Sequence, residues 1–325
     1  MKLPRRKFLH LAVSAAAVPT VSRIARAQAY PSRPVRIIVP FPAGGSTDVG
    51  ARIIGEYLSR VFHYQCYVEN RSGAGGNLGI EAAAKSPPDG YTILVSTDTA
   101  ASAAHAYKLN INPLKDLAPI IQLSRQPVVL AVHPSLGINS IAELIALAKR
   151  EPGLNYALGG PAGTQQHIVA EWFAHIAGIK LTHVAYRGGG PAINDLIAGH
   201  VKIGLLGSTP LIPHYKAGTL RLLAQSTAMR SPSLPEVPTF QEAGVQGLVL
   251  DQWLGVLVPT GAPTAVVTSL NTEMNKALAD PIVRESFLKQ AQEPVGGTVE
   301  QFLELFRADY SKYERLMKEL NIKVE

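Results

Sequence analysis

Short apolar runs alternate with amphipathic stretches from residue 35 almost to the end of the sequence. The first run, Ile37, Ile38 and Val39, reads as a buried strand. A turn follows through Phe41, Pro42, Ala43, Gly44 and Gly45, and Ser46 then stands as a helix N-cap. That helix is expected to reach about residue 61, with Val49, Ile53, Tyr57 and Val61 on its apolar face at four-residue spacing. Further strands are expected at 67–71, 91–95, 128–132, 154–158, 180–184, 201–206, 220–224 and 253–258. Helices are expected at 79–85, at 141–150 behind a Ser140/Glu143 capping box, after His167, and at 192–198. In the helix after His167, Ile168, Trp172 and Ile176 mark one face. Two closing helices are expected. The second opens at Thr298 with Gln301 in a capping box and carries a stripe of Phe302, Leu305, Phe306, Tyr313, Leu316 and Leu320. Strands alternating with helices predict an α/β protein built on mainly parallel sheets.

The opening device occurs twice. At 154–167 a short strand runs into Gly159, Gly160, Pro161, Ala162 and Gly163, with Thr164 as hydroxyl N-cap and Gln165, Gln166 and His167 leading the helix. A helix N-terminus exposes unpaired N–H groups and a partial positive charge, so each turn can receive a small anion. Any α/β protein can carry one such turn. Two of them suggest two lobes that face one ligand across a cleft, outside the carboxyl ends of parallel strands.

Charge first points elsewhere. The formal net charge is +7, but residues 1–29 hold Lys2, Arg5, Arg6, Lys7, Arg23 and Arg26 with no acid. The remainder balances 25 Lys+Arg against 24 Asp+Glu, so nothing points to nucleic acid. Residues 1–29 read as a secretory signal: a basic start, an apolar run from Leu11 to about Val21, and Ala27-Gln28-Ala29 as a small-x-small cleavage site. The run is too short to span a bilayer. Arg5-Arg6 with Phe8-Leu9 fits twin-arginine export, and Sec export fits as well. A periplasmic location follows. Cys66 is the single cysteine, so no intrachain disulfide forms, and it reads as a small buried hydrophobe.

Several chemistries find no motif. Gly73, Gly75 and Gly79 miss the dinucleotide spacing by one position. No glycine turn leads into Lys-Ser or Lys-Thr, no G-x-S-x-G elbow is present, and the histidines show no metal-ligand spacing. The chain is therefore expected to use no cofactor and no metal, and to perform no catalysis.

An ordered set of motifs now stands out: 34–41 with Gly44, Gly45 and Asp48; 68–71 with Gly73 to Asn77; Pro88-Asp89-Gly90-Tyr91-Thr92; Tyr186-Arg187-Gly188-Gly189-Gly190-Pro191-Ala192; Val237-Pro238-Thr239 with Glu242-Ala243-Gly244; and Trp253 with Gly255 and Pro259. The sequence resembles the Bug family, the extracytoplasmic solute receptors of tripartite tricarboxylate transporters. The resemblance implies a two-lobe periplasmic binding protein of type II, each lobe a mainly parallel sheet flanked by helices, with a hinge of crossing strands. On that pattern residues 30–130 plus 251–325 form one lobe and 131–250 the other. The lobes close on a small solute, often a carboxylate, and a monomer hands it to membrane transporter subunits. Carried over to this sequence, the binding loops are 41–48 (Phe41, Ala43, Gly44, Gly45, Ser46, Thr47, Asp48) and 160–167 (Gly160, Gly163, Thr164, Gln165, His167), with water between them and the solute. Ser96, Thr97 and Tyr186 would line the wall. Lys202 stands where the family tends to carry an acid, and Gly204 lacks a larger side chain common near the cleft, which implies a roomier pocket.

Single residues carry their own expectations. An acid beside a bound anion is repulsive, so Asp48 is expected to hold the loop through its N–H groups rather than to ligate. His167 serves either as a donor to the solute or as a satisfied helical histidine. Trp172 reads as core. Two other functions share these residues: a sensor passing the ligand-bound shape to a membrane kinase, and an exported hydrolase using His167 with a nearby hydroxyl, for which no nucleophile, base and orienter can be assembled.

Overall fold

The computed structural model describes residues 30–322, so the expected export signal at 1–29 lies outside the described residues. In chain order the elements are β1 (Val35–Val39), α1 (Ser46–Phe62), β2 (Cys66–Asn70), α2 (Asn77–Ala84), β3 (Thr92–Thr97), α3 (Thr99–Ala106), α4 (Pro113–Asp116), β4 (Leu117–Val132), α5 (Ile141–Arg150), β5 (Leu154–Leu158) and α6 (Gln165–Ala177). They continue as β6 (Leu181–Ala185), α7 (Gly189–Ile197), β7 (Ile203–Gly207), α8 (Ser208–Lys216), β8 (Arg221–Gln225), β9 (Asp251–Pro259), α9 (Thr264–Ala279), α10 (Pro281–Lys289), β10 (Glu293–Pro294) and α11 (Val299–Glu319).

The strands make two sheets of the same plan. In the first, β2, β1 and β3 run parallel, and β9 joins β3 antiparallel. In the second, β6, β5 and β7 run parallel, and β4 joins β7 antiparallel. Strand β4 belongs to both. Its first part, Leu117 to Pro127, pairs with β9, and its last part, Val128 to Val132, pairs with β7 and β8. Crossing strands thus connect two lobes.

The inner strands of each sheet are covered on both faces, which is why β1, β3, β7 and β9 are almost fully buried, whereas the edge strands β2 and β6 keep exposed residues. In β1, Val35, Ile37 and Val39 pack with Ala51, Ile54 and Leu58 of α1 and with Leu270, Met274 and Phe287 of α9 and α10. Ile38 faces the other way, into a cluster that includes Phe302, Phe306 and Tyr313 of α11 and runs on under the second sheet to Ile141, Leu144, Ile168 and Phe173. Val129, Ala131 and Leu206 meet α7 and α8 on the second sheet's remaining face.

Several expectations shift. Three helices close the chain, not two, because Asp280 caps a new helix at Ile282 and Val283 with Pro281 as its first residue. The buried face of α1 is Ala51, Ile54, Tyr57 and Leu58, so Tyr57 of the expected stripe is buried while Val49, Ile53 and Val61 flank the face half-buried. On α6, Ile168, Val169 and Phe173 are buried, Trp172 is half-buried at the rim, and Ile176 is exposed. Ser46 is the first residue of α1, and Gly45 takes the N-cap position. Both expected capping residues, Ser140 and Thr298, do accept the N3 N–H. Cys66 is buried, and burial pushes its thiol up to about 11. Among the described residues, no helix is long and apolar enough to cross a membrane.

Candidate functional site

Between the lobes lies a cleft of about 880 Å³, part of it open to solvent. Five helices begin on it, α3 at Thr99 and four that start from glycine-bearing turns. Gly45, Ser46 and Thr47 bring the start of α1; Thr164, Gln165 and Gln166 bring α6; Gly188, Gly189 and Gly190 bring α7; Gly207 and Pro210 bring α8. None of the four has a side-chain cap. Elsewhere Asn112, Ser140, Asp280 and Thr298 do cap their helices, although α2, α3 and α9 also start uncapped. A capping side chain consumes the N–H groups that an anion needs. Leaving four starts bare around one cavity keeps those donors available.

Among the described residues, no Lys, Arg, His, Asp or Glu lines the cleft. Its walls are Phe41, Pro42, Ala43, Leu206 and Pro191, with hydroxyls from Ser46, Thr47, Thr97, Thr99 and Thr164 and amides from Gln165, Gln166 and Gln252. An anion here would meet dipoles rather than a counter-charge.

The first loop is held from behind. Asp48 is 3% exposed and accepts from the Gly44 N–H at 2.9 Å, from Asn70 Nδ2 at 2.9 Å and from Arg52 Nε at 3.0 Å. Burial pushes its carboxyl up, but these hydrogen bonds outweigh burial and hold it below the usual carboxylate range. Gly44 has φ +86°, in the left-handed region that glycine adopts freely. Asp48 therefore shapes the loop, as its position suggested, and does not line the cleft. Asp48→Ala should leave the Gly44 N–H, Asn70 and Arg52 unmatched and destabilise the fold by about 2–3 kcal/mol. A depressed native pKa stabilises above the ordinary carboxylate range, and that contribution is lost as pH falls through the native value. The wild type should thus lose more stability than the variant between pH 5 and pH 3 in urea titrations. Parallel losses would rule this out.

The second loop is held likewise. His167 is buried, and its Nδ1 accepts from the Gly163 N–H at 3.1 Å. Burial, helped by His183, lowers its pKa to about 4, so the ring is neutral. It is the satisfied helical histidine, and it does not line the cleft. His167, Glu171 and His183, which no spacing in the sequence links, meet with ligand atoms within 4.8 Å. That group is unsuited to an ion: Nδ1 accepts a hydrogen bond from the Gly163 N–H, so in the neutral ring Nε2 carries the hydrogen, and it lies 3.6 Å from Glu171.

Of the expected site residues, Phe41, Ala43, Gly44, Gly45, Ser46, Thr47, Thr97, Thr164 and Gln165 line the cleft. The others do not. Gly160 and Gly163 shape the second loop behind its lining residues. Ser96 is fully buried one position before Thr97, on the opposite face of β3. Tyr186 turns away and donates to Asp195 at 2.6 Å; burial and that carboxylate push its phenol up to about 12. Gly204 faces α7, where a Cβ would lie 2.9 Å from Leu196, so its smallness serves packing and does not enlarge the pocket. Thr99, Gly159, Gly188 to Pro191, Leu206, Gly207, Pro210 and Gln252 line the cleft and were missed. Gly188 to Pro191 and Gly207 repeat the strand–glycine–helix device and were readable on that ground. Gln252, a lone glutamine in an apolar strand, gave no signal.

The sequence profile of the tripartite tricarboxylate transporter family receptor matches residues 51–322. A protein from the tcbD–tcbE intergenic region of Pseudomonas sp. (strain P51) is 36% identical over 321 residues, 98% of this chain and 95% of its own length. BugT of Bordetella pertussis is 36% identical over 92% of this chain and 93% of its own. An R. palustris protein solved with adipate is 33% identical with a TM-score of 0.87, over 91% of this chain and 100% of that one. MatC from Rhodopseudomonas palustris with bound malate is 28% identical with a TM-score of 0.83, over 88% and 99%. With the profile covering most of its length and these relatives matching nearly end to end, the chain belongs to the tripartite tricarboxylate transporter receptor family, a family of solute-binding receptors and not of enzymes.

Proposed function

We propose that the protein captures a small carboxylate solute between its lobes in the periplasm and delivers it, as a monomer, to the membrane subunits of a tripartite tricarboxylate-type transporter. One lobe is residues 30–130 plus 251–325 and the other 131–250, with β4 and β9 as the hinge. The observation that carries this reading is the convergence of four uncapped helix starts on a cleft without ionisable side chains. Such a site favours negative charge, excludes a cation that lacks a carboxylate, and accommodates an apolar linker against Phe41, Pro42 and Leu206. Relatives solved with adipate and with malate support the same ligand class.

Calorimetric titration with adipate, malate and putrescine tests it. At least one of the two acids should bind and raise the melting temperature with concentration, and putrescine should do neither. No protein group in the cleft titrates, so affinity should stay flat from pH 6 to pH 8 and fall only as the solute's own carboxylates protonate. Binding of the diamine, or a midpoint near pH 6.5, would contradict this account of the site.

A further inference from the structure

Tyr107 ends α3 in the first lobe, and its hydroxyl donates to the Ala162 carbonyl, in the second lobe's cleft loop, at 2.6 Å. No hinge residue takes part in this bond. Others between the lobes end on the hinge strands, as where Gln165 Nε2 donates to the Asp251 carbonyl at 2.7 Å. The surroundings of Tyr107 are tightly built. The turn at 73–76 of the first lobe touches both cleft loops: a Cβ at Gly76 would stand 3.2 Å from Phe41 Cε1, and one at Gly75 would stand 2.8 Å from Pro161 Cγ and 3.4 Å from the Tyr107 oxygen. Turn, tyrosine and second loop therefore meet with no room for even a methyl group. The bond also completes the wiring of the second loop. The Pro161 carbonyl accepts from Thr164 Oγ1 at 3.0 Å, the Ala162 carbonyl from Tyr107, and the Gly163 N–H donates to His167. Two carbonyl oxygens that would repel an anion are thus engaged behind the lining residues, and the free N–H groups at the start of α6 are left to the cleft. Burial pushes the Tyr107 phenol up, so the hydroxyl keeps the hydrogen it donates. Neither Tyr107 nor Ala162 lines the cleft.

We infer that Tyr107 is a positioning residue for solute binding: its hydroxyl clasps the second cleft loop from the opposite lobe, and it retains the solute without touching it. The inference rests on the carboxylate reading of the cleft and goes beyond it to what keeps the cleft shut. Opening the lobes carries Ala162 away from Tyr107, so the bond belongs to the closed form alone. A bond of that kind shifts the balance toward closure and raises solute affinity by what it contributes there.

Tyr107→Phe keeps the ring and removes the donor. Adipate and malate are titrated calorimetrically into the variant and the wild type, and association and release are followed by stopped flow. The variant is expected to bind about fivefold to tenfold more weakly. The change should lie in faster release, with little change in association rate. The unliganded variant should melt within about 2 °C of the wild type, and its second cleft loop should exchange amide hydrogen faster at Gly163. An unchanged release rate overturns the inference. So does a loss carried by association, or one accompanied by a large fall in the unliganded melting temperature, since both mark a tyrosine that only supports the fold. A wild type that binds neither acid sinks the carboxylate reading itself. Exchange at Gly163 then decides the clasp alone, and equal exchange in the two proteins overturns it.

Discussion

Gly45→Val is expected to weaken carboxylate binding by about a hundredfold or more while leaving the melting temperature of the unliganded protein within about 2 °C. Gly45 is the N-cap of α1 with φ −80° and ψ 167°, a conformation open to valine. A Cβ there meets nothing closer than the Pro42 carbonyl at 3.8 Å, so the fold need not adjust. The added methyls instead enter the cleft, where they cover the first N–H groups of α1 and hold the solute away. Each charge-assisted hydrogen bond lost costs ~1.5–3 kcal/mol, so losing one already approaches the expected effect. Neighbouring Gly44 is a poorer test, because valine at φ +86° would strain the loop and mix folding with binding. Calorimetric titration with adipate and malate, beside a thermal melt, separates the two effects. Full affinity for an acid that the wild type binds would remove the first loop from the site.

Why that loop was readable in the sequence, and Gln252 was not, is a matter of periodicity and locality. The first loop is local: an apolar run, two glycines and a hydroxyl residue stand in sequence order, and each has one physical meaning. The second loop repeats the signal, and parallel strands with their helices follow from the alternation. What stayed hidden depends on which face of an element is buried and on contacts far apart in sequence. Thr97 lines the cleft and Ser96 does not because successive strand residues point to opposite sides, and β3 is covered on both. Gly204 is likewise a packing glycine whose direction no single position reveals. The crossing strand was read only at 128–132, because Pro119, Gln122, Ser124, Arg125 and Pro127 break the apolar pattern over its first part. Those polar residues have partners supplied from elsewhere: Gln292 for Ser124, Glu293 for Arg125, and Ser46, Gln252 and Thr209 for Gln126. A polar residue in a buried strand resembles a loop until its distant partner is known. The third closing helix was overlooked for no such reason, since Asp280 followed by Pro281 is a local helix-start signal inside an apparently continuous pattern.

The same crossing strands set the largest expected effect on stability. In β9, Gln252 and Leu254 face α1, whereas Trp253 and Gly255 face α11. Gly255 pairs with Ser96 of β3 and Gln122 of β4, so its backbone sits mid-sheet. The Phe302 ring lies directly over it: a Cβ at 255 would stand 2.1 Å from Cζ and 2.8 Å from Cε1. The ring has little freedom to retreat. It is 2% exposed and packs edge-on against Trp253 at a centroid distance of 5.1 Å, and the Trp253 indole N–H is fixed to Asp309 at 2.7 Å. Gly255→Ala should therefore cost about 3 kcal/mol or more, the upper range for overpacking, and lower the melting temperature by roughly 6–12 °C. Because α11 also holds α3 through Tyr313 and Asp98, the displacement should reach Thr97 and Thr99 and weaken solute binding as a secondary effect. Shortening the obstructing ring tests the cause: Gly255→Ala with Phe302→Leu should recover part of the loss, an interaction of 1 kcal/mol or more between the two changes. Additive losses in calorimetric melts would show that the hinge glycine is required for some reason other than the space that Phe302 occupies.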